Sequence, residues 1–300
     1  MTSQVTAVVV TYQSQETIAE TMDSLKNSYA AGLLECIVVD NNSQDSTLEV
    51  LDAYSDWATI IPHPDNVGFG RGCNLGLDLV ETEFVVFVNP DSTIDVDSLR
   101  LLIEFVKSHP RAGLVSPAIS EPDGVQGVGN LTTPWNTLLE DAPLVKAPER
   151  LPVYPGSKPF RTNWVNGAIM LGRTDYIRRL KGFDPRFFLY FEETDLCRRI
   201  LDEGEEIWSV GEAVAYHIGA ASSSSSDENM AMDCIAEHYY QSRFYYLYKH
   251  HGAGLAVLTE FGTLFFIGIR SLASGILGRK NSKLFKQRLQ SPMFSLPPEI

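Results

Sequence analysis

Three hundred residues, 44% of them hydrophobic, can bury the core of one large domain or of one domain with an appendage. The formal net charge of -14 argues against nucleic acid as a partner, since a phosphate backbone needs basic surface, but leaves open a nucleotide whose phosphates a metal neutralises locally. Cys36, Cys73, Cys197 and Cys234 form no CxxC pair and read as reduced, mostly buried thiols of a cytosolic protein, and MTSQVTAVVV lacks the charged and long apolar regions of a signal peptide.

Residues 1–117 repeat a strand-then-helix rhythm, which predicts a parallel sheet with right-handed crossovers. Val5 to Val10 is the first strand, and Ser14 to Asn27 a helix with Ser14 as its N-cap and Ile18, Met22 and Leu25 on one face. Cys36 to Val39 is the second strand, ending in Asp40-Asn41-Asn42-Ser43. Ser46 and Glu49 then have capping-box spacing. Thr59 to Pro62 reads as a third strand, and 66–79 as a glycine-rich turn entering a helix. Phe84 to Val88 is a fourth, wholly apolar strand suited to burial on both faces. Leu99, Leu102, Ile103 and Val106 mark the helix after it, ended by His109-Pro110.

After residue 117 the rhythm breaks. Glu121-Pro122-Asp123-Gly124 is a turn signal opening a hairpin. Residues 134–159 hold six prolines and little periodicity, so a lid or binding loop, or else a disordered segment, is expected there. Structure resumes at Trp164 to Leu171, with a helix near Asp175 to Leu180 and another opened by Glu192-Glu193-Thr194-Asp195. Ile207 to Val210 and Val214 to His217 read as two short strands, and Ser222 to Ser226 as a mobile loop. Two helices close the chain. The first covers Asp233 to His251; the second, 254–278, is strongly apolar but carries Glu260 and Arg270, which fits a half-buried or interfacial helix better than a spanning one. Lys280, Lys283, Lys286 and Arg288 after it suit anionic headgroups or a solvated tail.

Open α/β sheets bind ligands at the carboxyl ends of their strands. Three such ends should converge: Thr11-Tyr12-Gln13, Asp40-Asn41-Asn42 and Asn89-Pro90-Asp91. Asp40 is placed to accept hydrogen bonds from a ribose or base edge, or else to form an Asx turn. Asp91 is a hard oxygen donor of the kind Mg2+ or Mn2+ takes beside a phosphate; its alternative is to cap the next helix. Gly68, Gly70, Gly72 and Gly76 permit close backbone approach without forming the dinucleotide fingerprint, so nicotinamide chemistry is disfavoured. Glu192 and Glu193 follow the aromatic run Phe187, Phe188, Tyr190 and Phe191. Apolar surroundings raise a carboxyl's affinity for protons and make it a usable general base, while helix capping is the plainer role for such acids. His217 ends a strand and with Asp91 would complete a carboxylate and imidazole metal site.

In this order the segments VVVTYQS, IVVDNNSQDST, NVGFGRGCNLGL, FVVFVNPD, WVNGAIMLGR, GFDPRFFLYFEETDLCRR and AYHIGAAS resemble the family 2 glycosyltransferases with the GT-A fold, closest to the bacterial rhamnosyltransferase-like branch, over roughly residues 5–225. The resemblance implies a GT-A type, Rossmann-like, mostly parallel sheet flanked by helices. Residues 1–225 would form the catalytic domain, with 1–117 its nucleotide-binding half and 118–225 its acceptor half, and 226–300 a helical appendage. It implies a nucleotide-sugar donor, a UDP- or dTDP-sugar, in surface polysaccharide synthesis. Thr11, Tyr12, Gln13, Asp40 and Asn42 would line the nucleoside pocket, and Asn66, Arg71 and Asn74 would lie near the donor. Asn89 and Asp91 would stand at the DxD-type motif, with Asp91 and His217 on the metal and Glu193 as base. Asn89 replaces the motif's first Asp, and Glu193 the usual Asp. The absence of a QxxRW motif disfavours a processive synthase. The acceptor would be a saccharide or lipid-linked saccharide, on the side of 134–159 and Trp164 to Gly167, and the protein cytoplasmic, with peripheral contact at the inner face of the plasma membrane through 254–288. A nucleotidyltransferase is disfavoured because VVVTYQSQET carries no Lys or Arg; a non-catalytic sugar-nucleotide-binding scaffold is the other reading.

Overall fold

The chain begins with β1 (Val5–Thr11), α1 (Ile18–Ala30), β2 (Leu34–Asp40), α2 (Thr47–Asp52), β3 (Ala58–Pro62), α3 (Phe69–Leu77), β4 (Phe84–Val88), β5 (Ser92–Ile94) and α4 (Val96–Ser108). It continues through β6 (Ala112–Glu121), β7 (Gly124–Val125), β8 (Gly127–Val128), α5 (Pro134–Asp141), β9 (Leu151–Pro152), β10 (Phe160–Thr162), β11 (Ile169–Arg173), α6 (Thr174–Arg179), α7 (Glu192–Asp202), β12 (Glu206–His217), α8 (Glu228–His251) and α9 (Ala253–Ile276). The computed structural model describes residues 3–142, 150–218, 228–276 and 294–297.

One sheet runs in the order β10-β12-β6-β11-β4-β1-β2-β3. Its first half, β3-β2-β1-β4, is parallel throughout, as the strand-helix rhythm predicted. β1 and β4 are buried at every position, because α1 and α4 cover one face of the sheet and α3 the other. On that second face, a Cβ at Gly72 would lie 2.7 Å from Val10 Cγ1, and one at Gly76 2.5 Å from Val8 Cγ1. These glycines therefore let α3 lie flat on β1. Helix-to-strand contact is their role, rather than the approach to a ligand expected of them.

The second half is mixed. β11 runs antiparallel between β4 and β6, and β6 pairs in parallel with β12. Glu121 to Gly124 does form the predicted hairpin turn, joining β6 to β7. The two short strands expected before His217 are one continuous β12, with a register shift between Val210 and Val214 that bends it without ending its pairing to β6.

Three local expectations fail. α1 begins at Ile18, with Thr17 at the cap position, while Ser14 Oγ turns back to the Tyr12 carbonyl at 3.3 Å. Ser46 caps no backbone N–H, its φ of -79° and ψ of 17° lying outside the extended backbone of a usual cap; Asp45 instead holds Thr47, with Oδ1 accepting from Thr47 Oγ1 at 2.6 Å. Within the proline-rich stretch, Pro134–Asp141 is helical. Thr133 and Asn136 form a reciprocal capping box there, with Pro134 at the first position, where its missing N–H costs nothing.

The described residues fall into two compact units. One takes those of 1–130, 150–185 and 192–222, the other those of 131–149, 186–191 and 223–300. Within the second, α8 and α9 pair around Phe244, Tyr245, Tyr246, Leu247 and Ala256, and Phe187 and Phe191 pack there too. Cys36, Cys73 and Cys197 are buried and unpaired. The Cys234 side chain, the serine run, part of the expected lid and the basic residues Lys280, Lys283, Lys286 and Arg288 lie outside the described residues.

Candidate active site

Strand order reverses beside β1, with β2 on one flank and β4 on the other. This is the point at which an open α/β sheet leaves a crevice beyond its carboxyl ends. Thr11 ends β1 at that crevice. Its hydroxyl donates to Asp40 Oδ1 at 2.8 Å, and Asp40 also accepts from the Ser43 N–H at 2.9 Å and the Ser43 hydroxyl at 2.6 Å. Asp40 is wholly buried, and its carboxylate is the knot between two loops. Ser43 Oγ accepts from the Gln13 N–H at 2.9 Å, and the Asn41 amide reaches the Gly68 carbonyl at 3.1 Å, which ties in the loop before α3. Gln13 and Asn42 hold positive φ of 52° and 62°, and with Tyr12 they are the exposed members of this group.

Asp91 follows β4 but caps no helix. β5 intervenes, and the cap of α4 is Asp95, whose side chain accepts from the Ser98 N–H at 2.7 Å. Asp91 is 6% exposed, with Oδ1 at 3.2 Å from His217 Nε2 yet accepting no hydrogen bond. The backbone holds the pair together: Ser92 pairs with His217 across β5 and β12, and the Ile218 N–H donates to the Asp91 carbonyl at 3.0 Å. On its far side, His217 Nδ1 lies 3.2 Å from Glu121 Oε1 and 2.9 Å from the Gln126 amide nitrogen. Burial disfavours the imidazolium, but Asp91 and Glu121 outweigh it and raise the His217 pKa above its ordinary value. Among the described residues no three His, Cys, Asp or Glu side chains converge as a metal cluster. A buried oxygen without a partner beside an imidazole nitrogen nevertheless suits a hard divalent cation that takes its other ligands from a phosphate. Asn89 donates its backbone N–H to the Ala168 carbonyl at 2.9 Å, and its half-buried side chain makes no hydrogen bond among the described residues.

Glu193 lies in the first turn of α7. Its Oε1 accepts from the Trp164 indole N–H at 3.3 Å and from the Thr194 hydroxyl at 3.1 Å, and Trp164 also donates to Thr194 Oγ1 at 2.9 Å. Burial raises the Glu193 pKa, and these donors work against that rise. Glu192 is pushed further up, by burial and then by Glu193, and its Oε2 has no hydrogen-bond partner. The aromatic run before these acids packs among α8 side chains, with Phe187 on Tyr245 and Phe191 on Tyr246. The ring that borders Glu193 is Trp164, with Arg150 stacked on it at 4.3 Å.

Glu193 and Asp91 share one end of the sheet. Glu193 borders Gly167, where a Cβ would lie 3.7 Å from Glu193 Cβ; the next residue, Ala168, pairs with Asn89, two positions before Asp91. Of the residues expected near a donor, Arg71 is half-buried in the first turn of α3 and makes no side-chain hydrogen bond or ion pair among the described residues. Asn66 Oδ1 accepts from the Gly68 N–H at 3.0 Å. Asn74 is engaged elsewhere, clasping the Phe183 backbone through its N–H and its carbonyl, both at 2.8 Å. A surface cavity of about 410 Å3 beside Ser24, Asn27 and Asp95 contains none of these residues. Sequence reasoning missed Glu121, Gln126, Ser43 and Thr194. Glu121 was hidden in a turn signal and Gln126 in the stretch just after it, and no spacing marked them.

The family model described as "Glycosyl transferase family 2" matches residues 6–162. The low-salt glycan biosynthesis hexosyltransferase Agl10 of Haloferax volcanii is 29% identical, over 72% of this chain and 68% of that protein. The N-acetylglucosaminyl-diphospho-decaprenol L-rhamnosyltransferase of Mycobacterium tuberculosis is 26% identical, over 67% of this chain and 71% of that one. Among solved structures, the mannosyltransferase PcManGT of Pyrobaculum calidifontis, in complex with GDP-Man and Mn2+, superposes with a TM-score of 0.54 at 16% identity, over 96% of this chain and 85% of that chain. The central sheet flanked by helices is thus the GT-A arrangement.

Proposed function

This chain belongs to glycosyl transferase family 2, and on that premise we propose that it moves a sugar, with inversion, from a nucleoside diphosphate donor to a hydroxyl of a saccharide or lipid-linked acceptor. The observation that carries the reading is Glu193. It is a carboxylate of raised proton affinity, oriented by Trp164 and Thr194, on the strand-end edge that also carries Asp91.

Glu193 takes the proton of the acceptor hydroxyl as that oxygen bonds to the anomeric carbon, while the bond from that carbon to the diphosphate breaks on the opposite face. Trp164 and Thr194 both donate to Oε1 and so fix the orientation of the carboxylate. Asp91 and His217 would hold a divalent cation, Mg2+ or Mn2+, with Glu121 fixing the imidazole from behind. When bound, that ion neutralises charge on the departing diphosphate. Tyr12, Gln13 and Asn42 would meet the nucleoside of a UDP- or dTDP-sugar, Thr11 and Asp40 set those loops, and Asn66, Arg71 and Asn89 lie on the donor side. Asn74 would act there only through the Phe183 backbone. Fixing both substrates in line supplies much of the remaining acceleration. A cytoplasmic site, with 254–288 in peripheral contact with a membrane, agrees with a lipid-linked acceptor.

The test is a thermal-shift panel of UDP-, dTDP- and GDP-sugars with and without Mn2+, followed by product analysis with the best donor. A ligand that binds only the native state raises its apparent stability. A Mn2+-dependent shift and a product of inverted anomeric configuration are expected. No shift with any donor, or a product of retained configuration, overturns the proposal.

A further inference from the structure

α9 is turned inside out for a helix in water. Its buried positions are Ala256, Thr259, Glu260, Thr263 and Ile267, most of them small or polar. Its exposed positions are Leu255 at 51%, Leu258 at 67%, Phe261 at 59%, Phe265 at 64% and Ile269 at 38%. The spacings of three, three, four and four put these five side chains in one stripe along the helix. Only 28% of the apolar window Ala253–Arg270 is buried. A soluble helix orients the other way, with its apolar stripe towards the core.

The polar interior is satisfied within the same unit. Arg243 Nε and Nη2 bond Glu260 Oε1 and Oε2 at 3.1 and 3.0 Å, and Thr263 donates to the Glu260 carbonyl at 2.9 Å. The charges interrupting the apolar sequence therefore split between the two faces. Glu260 is spent inward, and Arg270 stands exposed at the end of the stripe.

We infer that this stripe docks on an anionic lipid surface, with α9 lying in the interface. Charge selects that occupant. In a chain of net charge -14, residues 261–298 hold six basic residues and no acidic one, from Arg270 through Arg279, Lys280, Lys283 and Lys286 to Arg288. An apolar helix face continued in sequence by a basic stretch is the pattern that anionic headgroups hold at a bilayer surface. A second copy of the chain would cover the face equally well, but a two-fold contact would bring the same positive stretch to both sides. The inference refines the membrane contact proposed above and is independent of the transfer chemistry.

The test is flotation of the full chain with phosphatidylglycerol-rich vesicles and with phosphatidylcholine vesicles, in the absence of donor and acceptor. Binding to the anionic vesicles, weakened by salt, is expected. L258D/F265D should lower the bound fraction at least tenfold at an unchanged melting temperature, both side chains being solvent-exposed. Should that variant fold poorly, K283E/K286E should weaken binding to the anionic vesicles alone. Equal binding to both vesicle types, no binding, or a lipid-free dimer that L258D/F265D dissociates would overturn the inference. Failure of transfer with intact flotation would count against the enzymatic reading alone.

Discussion

Asp91 Oδ1 stands 3.2 Å from His217 Nε2, close enough for its charge to favour the imidazolium, yet this buried oxygen accepts no hydrogen bond. Asp91→Asn keeps the shape and removes the charge. Stabilisation by Mn2+ with a nucleoside diphosphate should be lost, and kcat should fall by about 10² to 10³, the usual cost of losing one fixed electrostatic contact to a leaving group. Calorimetric titration and initial rates at saturating donor would check this; wild-type values for both would remove Asp91 from the metal site.

Glu193→Gln should lower kcat by about 10² to 10⁴, the span expected for loss of a general base, with the donor KM little changed. The pH profile adds a sharper reading. Because burial raises the Glu193 pKa, the acid limb of kcat/KM should lie above the ordinary glutamate value. Trp164 and Thr194 donate to the charged form and oppose that rise, so Trp164→Phe should move the limb to higher pH. A downward shift would contradict the assigned geometry.

In metal-free protein, His217 should couple stability to pH. Its folded-state pKa is raised, so the stability it contributes is fully present below its unfolded value and lost as pH rises through the folded one. Melting temperatures of the wild type should therefore decline across that window, and His217→Gln should flatten this part of the curve. Identical slopes would show that Asp91 and Glu121 do not stabilise the imidazolium.

Arg243 and Glu260 are 3% and 0% exposed, and their bidentate pair is where the second unit is most vulnerable. Arg243→Met alone should destabilise by about 3–5 kcal/mol, because a buried carboxylate is left without its guanidinium. Arg243→Met with Glu260→Leu should restore most of that loss. Denaturant unfolding of single and double variants separates the two; an equally unstable double variant would mean the pair itself is net stabilising.

Period and strand-end position made much of this legible. The fully apolar FVVFV read as an interior strand and is one, buried at every position, which puts Asp91 just beyond its carboxyl end. Residues whose roles depend on partners far along the chain were illegible. Asp40 read as a ligand contact or a turn-forming residue, and its bonds to Ser43 answer the second reading, but its bond to Thr11, 29 positions away, left no mark in the sequence. Gly72 and Gly76 read as a ligand loop because helix-to-strand packing leaves no local mark beyond small size. Glu121 looked like a turn residue because His217, 96 positions later, supplies its meaning. The α5 cap was a different case. Thr133, Pro134 and Asn136 carry a local signature, and the surrounding prolines drowned it.

Asn74 grips Phe183 as one strand grips another, with a side-chain amide standing in for a peptide. Four residues earlier, Gly70 lies flush against Glu192, where a Cβ would come within 3.4 Å of Glu192 Cβ. The helix that bears Arg71 is thus fastened at two points to the segment that carries Phe183, Glu192 and Glu193. Any tilt of this helix would therefore be felt at Glu192 and carried into the first turn of α7, so the two segments would shift as one body.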